Sequence, residues 1–192
     1  MSSSRPALLV LDLINEITHP EGRYPEVCLD QVNERGVLDR AAEAIGRARA
    51  AGIPVIFVVV GFSAGYPDWS PVSPLFAEVR EGERLLLGSW GTEVNDRLKP
   101  LPDEPVIAKR RLSPFYGTGL DALLRNLGVD TLLLTGTTTE LAVLSTARDA
   151  HDRDYHVFVL EDATATSDAA TQEAAIKLIS RTATITSVEE AL

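Results

Sequence analysis

The chain has 192 residues, of which 45% are hydrophobic and 24% charged, and this balance is typical of a soluble domain with a sizeable core. Its formal net charge of -10 opposes binding to nucleic acid or to an anionic membrane surface. A single cysteine, Cys28, excludes an internal disulfide, and no apolar run approaches the ~20 residues of a membrane helix. We therefore expect a cytoplasmic protein with one domain, 1–192, and with no nucleic-acid or membrane partner.

Short apolar runs alternate with longer amphipathic stretches along the chain. The apolar runs predict strands at 7–14, 54–62, 105–112, 131–136, 156–162 and 183–187. The stretches between them predict helices at 37–51, 120–128, 140–153 and 168–180, with a short helix also considered at 93–98. Because the strands are apolar on both faces and alternate with helices, we expect a three-layer α/β/α fold around a six-stranded, mainly parallel sheet.

Three polar features lie where predicted strands end, which is the side of an open parallel sheet that binds ligands. Asp12 follows the apolar run 8–11, Lys109 follows 106–108, and the turn GTTTELA at 136–142 follows the fourth strand. A buried carboxylate and a buried ammonium favour pairing, because either one alone is costly. The pair could be catalytic or a purely structural ion pair. Free N–H groups at the start of the following helix could hold an oxyanion.

Four segments stand in the following order along the chain: VLDLINEITHPEG, GSWGTEV, VIAKRRLSPFYGTGLDALLRNLGVDTLLLTG and TGTTTELAVLSTARDAHDRDYHVFVLEDATAT. Together they resemble the isochorismatase-like hydrolases, also called the cysteine hydrolase superfamily, over essentially the whole chain. The resemblance implies an isochorismatase-like, Rossmann-like topology. It carries the catalytic aspartate of the family to Asp12, the catalytic lysine to Lys109 and the nucleophilic cysteine to Ala142.

The alanine at 142 separates this chain from the thiol branch of the family, in which a cysteine attacks a carbonyl carbon. Members without the cysteine use an aspartic acid to protonate an enol ether. We therefore expect an isochorismatase-family hydrolase that acts on a small polar metabolite by acid–base chemistry of Asp12 and Lys109, of the ether or enol-ether type. The threonines at 137–139 differ from the Tyr-Ala-His of true isochorismatases, so the substrate is left open. The alternatives are an amidohydrolase whose cysteine has been replaced by alanine, in nature or by design, and a non-catalytic ligand-binding relative.

The resemblance also implies further residues that contact the substrate. These are Asn15, Trp90, Phe115, Tyr116 and Thr138, of which the aromatic ones could equally pack in the core. Arg111 could face a substrate carboxylate or be structural, and Glu140 is expected to cap a helix. We expect Cys28, which lies outside the motifs, to be structural.

The histidines argue against a metal site. The nicotinamidase branch of the family needs an Asp-x-His-x-x-His cluster after the second strand, and the corresponding run GFSAGYPDWSP has no histidine. The 3 histidines, at positions 19, 151 and 156, do not have the spacing of a zinc site. We expect no metal, no cofactor and a small-molecule substrate. Family members usually form a homodimer or homotetramer, and the proline-rich stretch 63–104 is our candidate for those contacts.

Overall fold

A parallel sheet of six strands forms the middle layer of the protein, whose computed structural model describes residues 4–192. The strands are β1 Pro6–Leu11, β2 Val55–Val60, β3 Val106–Lys109, β4 Thr131–Thr137, β5 His156–Ala165 and β6 Thr184–Thr186. Their spatial order is β3-β2-β1-β4-β5-β6, and each neighbouring pair is parallel. The predicted α/β class and six-stranded sheet are thereby confirmed.

Helices cover both faces of this sheet. They are α1 Asn15–Thr18, α2 Leu29–Glu34, α3 Val37–Ala50, α4 Leu120–Asn126, α5 Leu144–His151, α6 Ala169–Ile179 and α7 Val188–Ala191. Alternate residues of β1 belong to two separate apolar clusters, since Leu8 and Val10 pack with α2, α3 and α7, whereas Leu9 and Leu11 pack with α4, α5 and α6. This alternation makes the middle strands apolar on both faces. Within residues 4–192, no helix has the length and apolar character that crossing a bilayer requires.

The first and third strands are shorter than the sequence predicts. β1 ends at Leu11 rather than at residue 14, because Asp12 adopts a positive φ of 51° and the chain leaves the sheet there. β3 ends at Lys109 rather than at residue 112. It lies at the edge of the sheet and pairs only with β2 among the described strands, so no second neighbour extends it.

The helix predicted at 140–153 is also different in its first turn. A wider, π-helical turn spans Thr139–Val143, and regular α-helix begins only with α5. In place of the short helix considered at 93–98, the structure has a 3-10 turn at Asp96–Leu98, within that range, and another just before it at Trp90–Thr92. The second of these turns begins at Asn95, whose side chain accepts a hydrogen bond from the Arg97 amide, and it ends where Lys99 leaves the helical conformation before Pro100.

The long connection 63–104 folds back over the carboxyl end of the sheet. Phe62 N donates to Leu85 O at 2.8 Å, which attaches the middle of the connection to the end of β2. Asn95 N donates to Leu13 O, also at 2.8 Å, which attaches its later part to the segment after β1. The connection therefore covers the side of the sheet at which β1 and β4 end.

Candidate active site

The order of the strands creates a crevice between β1 and β4. The chain runs from β1 outward through β2 to β3 on one side, and from β4 through β5 to β6 on the other. Connections at such a switch point diverge, and ligands of open α/β sheets bind there. Gly136 brings the two strands close together, because its φ is 125° and a Cβ at this position would collide with the backbone of Leu11. Asp12 and the turn after β4 therefore meet at the crevice.

Asp12 is fixed at the end of β1 by backbone contacts on both sides. Its N–H donates to Val58 O of β2 at 2.9 Å, and its carbonyl accepts a hydrogen bond from Thr137 Oγ1 of β4 at 3.1 Å. A positive φ is unfavourable for residues with a side chain, although aspartate tolerates it better than most. Such a conformation, held from two strands, is typical of a functional site.

Lys109 reaches Asp12 from the edge of the sheet. Its Nζ lies 2.6 Å from Asp12 Oδ2, and the two side chains are only 2% and 5% exposed. The same Nζ donates to Arg111 O at 3.1 Å. Asp12 Oδ1 is buried and accepts no hydrogen bond of regular geometry within residues 4–192, although the backbone N–H of Val60 lies near the carboxyl group. One carboxylate oxygen, and one of the three ammonium hydrogens, are thus left for a ligand.

Burial and charge act on the Asp12 carboxyl in opposite directions. Loss of water around the buried group raises the pKa of Asp12 above its ordinary value, and this effect is the larger one. The charge of Lys109 and its hydrogen bond lower the pKa, but they do not cancel the effect of burial. A carboxyl with a raised pKa is a stronger proton acceptor when ionised, and it keeps its proton to a higher pH than an ordinary carboxyl.

The turn after β4 presents backbone and side-chain donors. The amides of Leu141 and Val143 both donate to Thr138 O at 3.2 Å. Thr138 Oγ1 is buried and also has no partner there. Ala142 itself is buried, with its carbonyl bonded to Thr146 Oγ1 at 2.6 Å. The turn therefore offers an unused hydroxyl beside a methyl group.

These groups line one small cavity of about 60 Å³. Its wall contains four residues that the sequence predicts for the site, namely Asp12, Lys109, Thr138 and Ala142. Their roles stay predictions. The rest of the wall is almost entirely apolar and consists of Ile17, Tyr24, Val27, Val60, Leu75, Phe76, Leu85, Leu112, Thr137 and Leu141. The arrangement suits a single polar head group held against the Asp12–Lys109 pair.

Four of the expected substrate contacts lie elsewhere in the structure. Phe115 packs in the core, 6.0 Å from the ring of Tyr155, so the core-packing alternative describes its position. Tyr116 is 68% exposed in a neighbouring groove. Asn15 is buried and donates to Trp90 O at 3.0 Å, while the indole of Trp90 lines a separate cavity of about 560 Å³. None of the four lines the cavity of the Asp12–Lys109 pair.

Arg111 takes the structural position that the sequence left open, whereas Glu140 does not take the capping role expected of it. Arg111 Nη1 donates to the carbonyls of Asp68 and Arg110, at 3.2 and 2.6 Å, so this nitrogen holds the loop rather than the cavity. Glu140 caps no amide among the described residues, and its Oε2 is buried without a partner there. The turn instead begins on Thr138, whose carbonyl accepts the two amides described above.

Cys28 lies closer to the site than its place in the sequence indicates. Burial raises the pKa of its thiol to about 12, against a smaller lowering by a hydrogen bond with Thr137. Its side chain belongs to the apolar cluster and does not line the cavity. A neutral, enclosed thiol is inert as a nucleophile, so Cys28 does not replace the cysteine missing at 142.

Sequence reasoning missed several residues that complete the cavity. Tyr24, Phe76 and Leu85 come from irregular segments and carry no motif, and the only signal for the last two was the length of the connection 63–104. Thr137 was seen only as part of a threonine-rich turn. Within residues 4–192, no three histidine, cysteine, aspartate or glutamate side chains converge as a metal site would require.

Comparison with known proteins identifies the family. The family model described as Isochorismatase domain matches residues 6–190 of the chain. The chain belongs to the isochorismatase-like hydrolase family. The resemblance of the four sequence segments is thereby confirmed, and the isochorismatase-like topology with it.

Curated relatives in the family carry the name of an amide-cleaving enzyme. Ureidoacrylate amidohydrolase RutB from Methylobacterium radiotolerans is 38% identical over 169 residues, which are 82% of this chain and 66% of that protein. The protein of the same name from Pseudomonas savastanoi pv. phaseolicola is 34% identical over 176 residues, which are 85% of this chain and 72% of that protein. The chain thus spans about two thirds of the length of these relatives.

Solved structures of the family superpose over nearly the whole chain. An isochorismatase family protein from Desulfovibrio vulgaris has a TM-score of 0.85 at 29% identity, covering 97% of this chain and 96% of that one. N-carbamoylsarcosine amidase from Thermoplasma acidophilum has a TM-score of 0.75 at 32% identity, covering 96% and 97%. The named activities among these isochorismatase-family relatives fit the amidohydrolase alternative better than ether hydrolysis.

Proposed function

We propose that this protein is a hydrolase that cleaves the C–N bond of a small carboxamide or ureido compound, with water in place of the family thiol. The observation that carries the proposal is that the Asp12–Lys109 pair, the unpartnered hydroxyl of Thr138 and the methyl group of Ala142 line one cavity. The names of the relatives, ureidoacrylate amidohydrolase and N-carbamoylsarcosine amidase, support an amide-type bond as the target.

In the proposed reaction, Asp12 acts first as a base. Its free Oδ1 accepts a proton from a water molecule that lies beside the methyl group of Ala142, and the water oxygen forms a bond to the carbonyl carbon. The carbonyl oxygen gains the electron pair and is held by the Thr138 hydroxyl. Asp12 then donates the proton to the leaving nitrogen as the C–N bond breaks, which yields an acid and an amine or ammonia. Lys109 stabilises the ionised form of Asp12 at the start of the cycle.

The test is ammonia release from a panel of small carboxamides and ureas. Asp12→Asn should lower kcat/KM by ~10²–10⁴-fold, the usual contribution of a positioned acid–base group. Asp30→Asn, an exposed aspartate on α2, is the matched control and should have no effect. Ala142→Cys should add a thiol-dependent activity on the same compounds and react with a carbonyl electrophile. Unchanged turnover in the Asp12→Asn variant, with its native circular dichroism retained, would refute the assignment.

Hydrolysis of an enol ether is the second candidate, and the raised pKa of Asp12 favours it. A protonated carboxyl can donate its proton to the enol-ether carbon, after which water adds to the oxocarbenium ion without any nucleophile at 142. The two reactions differ in their pH dependence. The amide reaction needs ionised Asp12, so its rate rises as the pH increases through the pKa of that group, whereas the ether reaction needs the protonated form and its rate falls.

A third outcome would favour a ligand-binding relative without catalysis. In that case a carboxamide would bind the wild-type chain and remain intact, while Ala142→Cys would consume it. Assembly into a homodimer or homotetramer and a cytoplasmic location remain predictions from the sequence.

A further inference from the structure

The cavity of the proposed hydrolase carries very little charge. Asp12 and Lys109 are the only charged side chains in its wall, as far as the described residues 4–192 form it, and they are paired with each other at 2.6 Å. The residues around the pair are aliphatic or aromatic, apart from Thr137 and Thr138. A ligand in this space therefore meets one ion pair, the hydroxyl-bearing side chains of Tyr24, Thr137 and Thr138, and an otherwise apolar surface.

A carboxylate group on a ligand would find no unpaired cation to bind in this cavity. Lys109 already donates to Asp12 and to Arg111 O, so a ligand carboxylate near it would also lie near the carboxylate of Asp12. Like charges at such a distance repel strongly where water is excluded, and a buried anion without a partner is unfavourable. The net charge of -10 on the whole chain acts in the same direction.

Arg111 does not supply this missing cation for a short ligand. Its side chain lines the neighbouring groove of about 490 Å³ rather than the cavity, and Nη1 is engaged by the carbonyls of Asp68 and Arg110. The groove shares Leu75, Leu112 and other apolar residues with the cavity. A tail that leaves the cavity in this direction therefore first crosses an apolar surface.

The size of the cavity limits what it can hold. Its volume of about 60 Å³ corresponds to roughly two water molecules of liquid, which is enough for a carboxamide or ureido head group but not for a whole metabolite. The remainder of the substrate must extend towards the groove along the apolar residues that the two spaces share.

We propose that the site selects uncharged substrates, in which a carboxamide or ureido head group is carried by a short alkyl, alkenyl or aryl group. Compounds with a carboxylate within a few bonds of the scissile C–N bond are rejected. The inference that uncharged compounds are cleaved rests on the proposed function, whereas the inference that they bind more tightly is independent of it. The name of the ureidoacrylate relatives denotes an acid, so the inference separates this chain from them.

Propylurea and 3-ureidopropionate form a matched pair of probes, since both carry a ureido group on a three-carbon chain and only the second is an anion. Dissociation constants from calorimetry should favour propylurea by at least ~10-fold, a difference of about 1.4 kcal/mol. Equal or tighter binding of 3-ureidopropionate, or no binding of either probe, would overturn the inference. Propylurea that binds selectively but releases no ammonia would support the selectivity and refute the proposed hydrolysis, so the two failures are distinct.

Variants at the mouth of the cavity test the physical reason. Leu75, which is 39% exposed and lines both the cavity and the groove, can be changed to lysine to supply the missing cation. Leu75→Lys should improve binding of 3-ureidopropionate by about 10-fold relative to propylurea, whose tail loses an apolar contact. Leu75→Met controls for the change of shape, and Val72→Lys places the same charge at an 86% exposed position outside the cavity. If Val72→Lys improves the binding of 3-ureidopropionate as much as Leu75→Lys does, the effect of the added charge is not local to the cavity, and the explanation is contradicted.

A variant of Arg111 tests the main competing explanation. Because the guanidinium lies outside the cavity, Arg111→Gln should leave the affinities for both probes unchanged. A selective loss of 3-ureidopropionate binding in this variant would mean that Arg111 recognises the carboxylate, and that result would overturn the inference.

Discussion

Replacing Lys109 by methionine should destabilise the protein strongly and in a pH-dependent manner. The side chains of Lys109 and Asp12 are 2% and 5% exposed and 2.6 Å apart, so their attraction at an effective dielectric constant of ~20 is about 6 kcal/mol. Desolvation of both charges offsets much of that energy while the pair is intact. Removal of one partner leaves the desolvation of the other uncompensated, and the usual loss is about 3–5 kcal/mol of unfolding free energy.

The sign of the pH dependence follows from the pKa of Asp12. Burial raises this pKa, and the charge and hydrogen bond of Lys109 are the main effects that oppose the increase, so Lys109→Met raises it further. A carboxyl whose pKa is higher in the folded state favours folding most at a pH below its ordinary value of 3.8, and this contribution is lost as the pH rises through the folded value. The destabilisation by Lys109→Met should therefore be largest near pH 8 and shrink towards pH 4.

Urea unfolding of wild type and variant between pH 8 and pH 4.5 measures this difference. Lys177→Met, which removes an exposed lysine of α6, is the control and should change the unfolding free energy by no more than about 0.5 kcal/mol. A loss below ~1 kcal/mol for Lys109→Met, or a loss that is the same at every pH, would refute the reasoning that Lys109 stabilises the ionised form of Asp12.

Three further predictions concern the surroundings of the site and the scaffold. Burial raises the pKa of the Cys28 thiol to about 12, so this thiol should react with iodoacetamide at least ~100-fold more slowly in the native protein than in urea. Rapid labelling of the native protein would contradict this burial. Gly136→Ala should cost at least ~3 kcal/mol in urea unfolding because its Cβ meets the backbone of Leu11, whereas Gly46→Ala in the open helix position of α3 should be neutral or stabilising. Asp168→Ala removes the side chain that accepts from the first turn of α6 and should lower Tm by roughly 2–4 °C in calorimetry, and an unchanged Tm would refute the capping role.

The layers of the fold could be predicted because burial on both faces makes strands such as β2, VIFVVV, apolar throughout. The strand ends also carried a usable signal. Asp12 and Lys109 interrupt apolar runs, and a parallel sheet places the carboxyl ends of its strands on one side, so their meeting was predictable in principle. Their 2.6 Å contact depends in addition on the strand order, because β2 lies between them, and alternation alone does not give that order.

The aromatic wall of the cavity could not be predicted in the same way. An aromatic residue after a strand fits a pocket and a core equally well, and the position of Phe115 is decided by Tyr155, which follows α5 far along the chain. Tyr24 and Phe76 reach the cavity from irregular segments that have no periodicity to read. The widened turn at Thr139–Val143 is set by the hydrogen bonds of one carbonyl, which residue types do not reveal.

Replacing both members of the pair separates a structural role from a functional one. Asp12→Asn retains a residue that tolerates the positive φ of 51° at this position, and Lys109→Met retains an unbranched side chain without charge. A buried ion pair is often no more stabilising than neutral side chains of similar volume, so the double variant should unfold within about 1–2 kcal/mol of wild type and should regain most of what Lys109→Met loses. Propylurea binding and ammonia release should nevertheless be lost, because the free carboxylate oxygen and the ammonium are gone. If the double variant is destabilised by the sum of the two single changes but still binds propylurea, the pair holds the fold together and the function lies elsewhere.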